Sequence, residues 1–285
     1  LGSIVLSRIT LFCLLLSILI SFFSLLMNAF AWSSICVWLG IYTRPLNFIT
    51  LFLSTNILKY VPGGIWHFVE RIRALKIYCG EGKAITSVIL EPFLMLAAAL
   101  LCIPLGGFQS GLGFLCILPI FSFLRSFREP LLKRLTIVMS KKLEVVFSEA
   151  KVESWKDELS FKRKDYPYKA LSMELIFLIL RFGGFWCCLK AFYIDSSLSL
   201  FQWFAIFSFA WLIGLVVPAA PSGIGIFETC LLIRAGSSVA EAPFLATLLC
   251  YRLVVSLADL IAACVVGLKR VYVPTMCFND QSENG

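Results

Sequence analysis

Two long apolar stretches of this 285-residue chain are each broken by a Pro/Gly turn that runs into a short segment carrying charge. The first break reads Pro62-Gly63-Gly64-Ile65-Trp66-His67-Phe68-Val69-Glu70-Arg71, and the second reads Pro221-Ser222-Gly223-Ile224-Gly225-Ile226-Phe227-Glu228. A further glycine follows each, Gly80 and Gly236, and then another long apolar run. Irregular backbone at membrane depth leaves peptide groups that lipid cannot hydrogen-bond, so it survives only against protein or a watery cavity. Paired interruptions in two halves of a polytopic chain point to a binding site. The breaks therefore predict two re-entrant segments, with turns at Pro62, Gly63, Gly64 and at Pro221, Gly223, Gly225.

Composition supports the membrane reading. Hydrophobic residues make up 60% of the chain and charged residues 15%, where a soluble domain is nearer half and a quarter. Spans of ~20 residues are expected near 9–31, 46–60, 84–105, 109–127, 171–193, 199–217 and 243–267. The net charge of +8 does not make a nucleic-acid surface, because the basic residues concentrate between spans. The stretch 125–169 holds 12 of the 25 Lys and Arg, and an excess of basic residues in a short connecting loop predicts a cytoplasmic face. Most of the 11 cysteines lie inside apolar runs and behave as small hydrophobes. With one histidine and no metal-ligand spacing, neither a metal site nor a cofactor is expected. No Ser–His–Asp set, phosphate loop or dinucleotide fingerprint is present, so no catalytic residues and no enzyme activity are expected.

The chain divides into a first transmembrane half at 1–128 with its break at 62–80, and a basic connector at 129–168. A second transmembrane half follows at 169–270 with its break at 218–236, and then a polar tail at 271–285. Aligning Gly64 with Gly223 superposes Pro62 on Pro221, Ile65 on Ile224 and Phe68 on Phe227, as an internal repeat would. After the first break, Ile65, Phe68, Val69, Ile72 and Leu75 share one helical face, while His67, Glu70, Arg71 and Lys76 line another. Gly80 reads as the stop of that helix. The counterpart from Ile224 to Ala235 is more apolar and is expected to be buried.

Ionisable groups at membrane depth each cost on the order of 2.5–3.5 kcal/mol and need a partner or a function. Arg252 and Asp259 lie seven residues apart with Ser256 between them, on one helical face, and Glu174 and Arg181 repeat the spacing. Glu91 precedes Pro92, which should kink its helix. Glu228 sits one turn into the second break, where a helix N-terminus favours negative charge. Two readings stand side by side: interhelical ion pairs that only fix packing, or a polar cavity in which arginines meet the phosphate of a lipid headgroup.

These residues resemble the membrane domain of the lysylphosphatidylglycerol synthase/flippase family. That family shows Pro-Gly-Gly…Arg…Gly and then an embedded Glu-Arg, followed later by Gly-Ile-Gly-x-x-Glu, Gly and an embedded Arg. Here the pattern falls on Pro62-Gly63-Gly64, Arg71, Gly80 and Glu91, then on Gly223-Ile224-Gly225, Glu228, Gly236 and Arg252. The family's Glu-Arg is Glu91-Pro92 in this chain, so a partner for Glu91 must come from elsewhere. No large soluble aminoacyl-transfer domain follows Arg270 in this sequence. The resemblance implies translocation or binding of a lipid or lipid-linked substrate, not lysyl transfer.

The expectation is an all-α polytopic membrane protein with about seven transmembrane helices, set in the cell membrane of a bacterium. Arg71, Arg181 and Arg252 would contact phosphate, and Glu91, Glu228 and Asp259 would hold the arginines or meet a cationic headgroup. The expected partners are a membrane phospholipid or a polyprenyl-linked lipid. The alternative is a non-transporting subunit that docks a cytoplasmic glycosyltransferase or synthase through the connector.

Overall fold

The computed structural model describes residues 8–42, 45–106, 166–216 and 225–268. All regular structure among them is helical. In chain order the α-helices are α1 (Arg8–Trp38), α2 (Pro45–Asn56), α3 (Trp66–Cys79), α4 (Glu81–Cys102), α5 (Tyr168–Ala191), α6 (Leu200–Val216), α7 (Ile226–Ala235) and α8 (Glu241–Leu268). Helices α1, α4, α5 and α8 are long and apolar enough to cross a membrane. The expected span at 109–127, the connector at 129–168 except its last three residues, and the tail at 271–285 lie outside the described residues.

The expected span at 46–60 takes a different form. Helix α2 has 12 residues and then tightens into a 3-10 turn at Ile57–Tyr60. At 1.5 Å per residue that helix is about 18 Å long, short of the ~30 Å hydrocarbon core. Helix α6 is an apolar helix with 17 described residues. Pro92 lies inside α4, which continues through it to Cys102.

Helices α1 and α8 turn large apolar side chains outward, while α4 and α5 bury many of theirs. Helix α1 buries Ser17, Ser21, Ser24 and Asn28 at spacings of four, three and four, one face of a helix, while Phe12, Leu15, Leu19 and Phe23 are exposed. Helix α8 exposes Leu245, Leu249, Leu253, Leu257 and Ile261 in steps of four and buries Phe244, Thr247, Tyr251 and Asp259 on the opposite side. Lipid tails are as apolar as leucine, so large side chains gain nothing by turning inward, and small or polar residues take the helix contacts. The α1–α5 interface is the most extensive among the described helices and works in this way. Ser17 Oγ donates to the Gly184 carbonyl at 2.6 Å, and a Cβ on Gly184 would stand 2.7 Å from Ser21 Oγ. Gly184 thus marks a close helix crossing in mid-α5.

The two sequence halves do not form separate lobes. Helix α1 packs on α5 and α8, α2 on α8, and α4 on α5 and α6, so each half completes the core of the other. An aromatic cluster of Phe182, Phe185, Phe207, Trp211, Phe227 and Tyr251 fills the space between α5, α6, α7 and α8.

Candidate functional site: buried ion pairs beside the chain breaks

The first break is a built turn. After the 3-10 turn, the Gly64 N–H donates to the Val61 carbonyl at 3.1 Å, and Trp66 Nε1 donates to the Pro62 carbonyl at 2.9 Å. Gly63 and Gly64 take φ of +99° and +64°, a region that side chains disfavour. The chain therefore reverses within a few residues and re-enters helix at α3. Gly80, at φ +80°, caps α3 and leads straight into α4.

This reversal carries Arg71 into the interior. Its side chain is 1% exposed, Nη1 donates to Glu91 Oε2 at 2.6 Å, and Nε donates to Thr55 Oγ1 at 3.1 Å. The guanidinium carbon lies 3.8 Å from the Phe52 ring centroid and 5.3 Å from that of Trp32. Placement of Arg71 on the polar face with His67, Glu70 and Lys76 is therefore corrected: it is buried with Val69, Ile72 and Leu75. Leu75 lies one turn ahead, and the Glu91 carboxylate together with two aromatic faces supplies what the charge would have found in water. Arg71 is also the partner from elsewhere that Glu91-Pro92 required.

At the second break, Pro221 and Gly223 lie outside the described residues. Gly225 is the N-cap of α7 at φ +92°, and its N–H donates to Glu228 Oε2 at 2.7 Å, so the carboxylate closes the helix N-terminus. Glu228 Oε1 accepts from Arg252 Nε, tying α7 to α8. Arg252 and Glu228 side chains are 27% and 15% exposed, so this pair is more open than Arg71–Glu91. The guanidinium of Arg252 also lies 5.0 Å from the Phe227 ring centroid. Helix α7 is less buried than its composition suggested: it hides one stripe, Phe227, Leu231 and Ala235, while Ile233 is 71% exposed. With ten residues, one stripe is all that a helix docked along α6 can cover.

Asp259 does not join Arg252. Seven residues span two turns, about 10 Å along the axis, and the two side chains find different partners. The Asp259 carboxylate, with no exposed surface, accepts from Lys59 Nζ at 2.7 Å, Tyr60 Oη at 2.6 Å and Asn56 Nδ2 at 3.1 Å. This knot pins the turn before the first break to α8 in the other half. Asn56, Lys59 and Tyr60 were not singled out by sequence reasoning, although a lysine within an apolar run was a usable signal.

Glu174 and Arg181 do not pair with each other either. Neither Glu174 oxygen has a hydrogen-bond partner, and Nε and Nη1 of Arg181 have none. Arg181 is 2% exposed, and its guanidinium carbon lies 5.3 Å and 5.9 Å from the ring centroids of Phe177 and Trp211. Among the described residues no cluster of three His, Cys, Asp or Glu is placed to hold a metal ion. The arrangement is thus two guanidinium–carboxylate pairs beside two breaks, an Asp259-centred knot between the halves, and an interior Arg181 with two open donors, where Arg71 leaves only Nη2 without an acceptor. No known protein-family model matches this chain, and no curated protein or solved structure matches it either.

Proposed function

We propose that this chain is a polytopic protein of the bacterial cell membrane that binds a phospholipid or a lipid-linked substrate among its helices and moves it between leaflets. It would do so without catalysing a chemical step. The reading includes about seven crossing segments, two re-entrant breaks, and a site drawing on Arg71, Glu91, Arg181, Glu228, Arg252 and Asp259. Helices with exposed leucine faces and serine-lined contacts support a membrane setting. The motif order shared with the lysylphosphatidylglycerol synthase/flippase membrane domain supports a lipid substrate.

The observation that carries the proposal is the repeated architecture of the ion pairs. Each break is followed by a short helix whose charged residue meets an opposite charge on the next membrane-length helix, Arg71 with Glu91 and Glu228 with Arg252. Charges grouped around paired helix breaks are the usual sign of a substrate path rather than of a packing core. A breakable guanidinium–carboxylate pair can exchange its carboxylate for a phosphate, which offers the same acceptor geometry.

Movement of a fluorescent phospholipid across reconstituted vesicles tests this. Arg252→Leu is expected to abolish movement. In the double variant Arg252→Leu/Glu228→Gln, no stranded carboxylate remains, so folding is expected to recover while movement stays absent. Recovery of both would make Arg252 a packing residue and end the proposal.

A further inference from the structure

Three arginines lie in or beside the interior, and they differ in what their donors meet. Arg71 is tied to Glu91 and Thr55, with only Nη2 lacking an acceptor, and Arg252 is tied to Glu228. Arg181 has no carboxylate against it among the described residues, and its Nε and Nη1 are buried with no acceptor at all. A guanidinium cannot shed its charge as a carboxyl or amine can, so burial without an acceptor leaves each of those donors desolvated and unpaired. The surroundings keep the group in place and leave its donors open. Phe177 and Trp211 offer ring faces to the guanidinium, and Tyr251 Oη donates to the Arg181 carbonyl at 3.2 Å, holding its stretch of α5 against α8.

The charge count around Arg181 is also uneven. Its charge bears on Lys59 and on Tyr60, both members of the Asp259 knot. Lys59 and Asp259 cancel, so one positive charge is left over at this point. Glu174 does not pair with it, since it stands two turns back on α5, about 10 Å along the axis, and neither of its oxygens has a hydrogen-bond partner. Resting on the lipid-binding reading above, we infer that Arg181 is the anchor for the phosphate of the substrate, a singly charged phosphodiester. Arg71 and Arg252 already hold carboxylates and reach a phosphate only by exchanging them, whereas Arg181 offers donors that are open from the start. Arginine suits the task because it holds phosphate by charge-assisted hydrogen bonds while resting on aromatic rings. Phe177 on α5 and Trp211 on α6 flank the guanidinium, so a headgroup would reach it along that seam.

Native mass spectrometry of the detergent-purified full chain tests the assignment. The probes are phosphatidylglycerol, diacylglycerol with the same tails but no phosphate, and inorganic phosphate as competitor. Wild type is expected to bind phosphatidylglycerol in preference to diacylglycerol. Arg181→Gln is expected to weaken phosphatidylglycerol binding by about tenfold or more and to leave diacylglycerol unchanged. Arg181→Lys, which keeps the charge, should fall between. Displacement of the lipid by matched inorganic phosphate would keep the phosphate site but assign it to the free ion; resistance to displacement assigns it to the headgroup. Unchanged phosphatidylglycerol binding by Arg181→Gln overturns the inference, as does failure of both variants to fold, which would make Arg181 structural. The lipid-movement proposal fails separately. Wild type that binds through Arg181 yet moves no lipid removes translocation and leaves this site, whereas intact movement and binding in Arg181→Gln does the reverse.

Discussion

The two breaks solve one problem with opposite signs. At the first, the short helix α3 supplies the arginine and the following long helix α4 supplies the glutamate. At the second, the short helix α7 supplies the glutamate and the following α8 supplies the arginine. The surroundings differ as well. Arg71–Glu91 is sealed beneath Phe52 and Trp32, with side chains 1% and 7% exposed, whereas Arg252–Glu228 is 27% and 15% exposed. The carboxylate at the second break has an extra duty, since Glu228 also caps α7 through the Gly225 N–H. At the first break the N-cap, Ile65, has no side chain to offer. What the halves share is therefore a relation between a short helix and a long one, not a residue at a position. A Glu opposite Arg and an Arg opposite Glu give the same attraction, so either polarity can join the two helices.

The difference in burial sets the order of expected effects. Removing one member of a buried pair strands the other, so Arg71→Leu should destabilise the chain by about 3–5 kcal/mol. Arg252→Leu should cost clearly less, because its partner keeps the Gly225 N–H and a route to solvent. Thermal melting of both variants in one detergent compares them, and equal losses would erase the distinction between a sealed and an open pair. Next come the turns. Gly63→Ala and Gly225→Ala each force a side chain to positive φ, which should cost about 1–2 kcal/mol. Around Gly225 nothing stands within 4 Å of a new Cβ, and at Gly63 the nearest atom is Trp66 Nε1 at 3.7 Å, so strain rather than collision sets both values. If one variant melts far below the other, the two turns are not equivalent. The smallest effect separates the caps. Glu228→Gln keeps an acceptor for the Gly225 N–H that closes α7 but removes the charge paired with Arg252, and should cost about 1 kcal/mol. Glu70→Gln, which removes only the surface contact with Arg73, should shift melting by less than about 0.5 kcal/mol. A larger loss at Glu70 would show that the first short helix also depends on a side-chain closure.

Much of the architecture was legible in the residues. The apolar runs announced α1, α4, α5 and α8, and Pro62-Gly63-Gly64 announced the interruption ahead of α3. The serine face of α1 was equally open to reading, since Ser17, Ser21, Ser24 and Asn28 follow helical spacing. The seven-residue spacings misled for a plain reason. Two turns bring side chains to one face but leave them about 10 Å apart, so Arg252 and Asp259 share a direction without sharing a partner, as do Glu174 and Arg181.

Local chemistry was thus decided by the chain itself: which segments are helical, which are apolar enough for lipid, and where Gly and Pro force the backbone to turn. Those outcomes rest on dihedral preference and on neighbours within a few residues. Which charge meets which was decided only by tertiary packing. Arg71 finds Glu91 because α3 folds back onto α4, Lys59 and Tyr60 find Asp259 because α2 ends against α8 from the other half, and Arg181 is left open because Phe177 and Trp211 take its flanks. A charge at membrane depth is satisfied by whatever acceptor the crossing helices bring within about 3 Å, and no spacing along one helix specifies that atom.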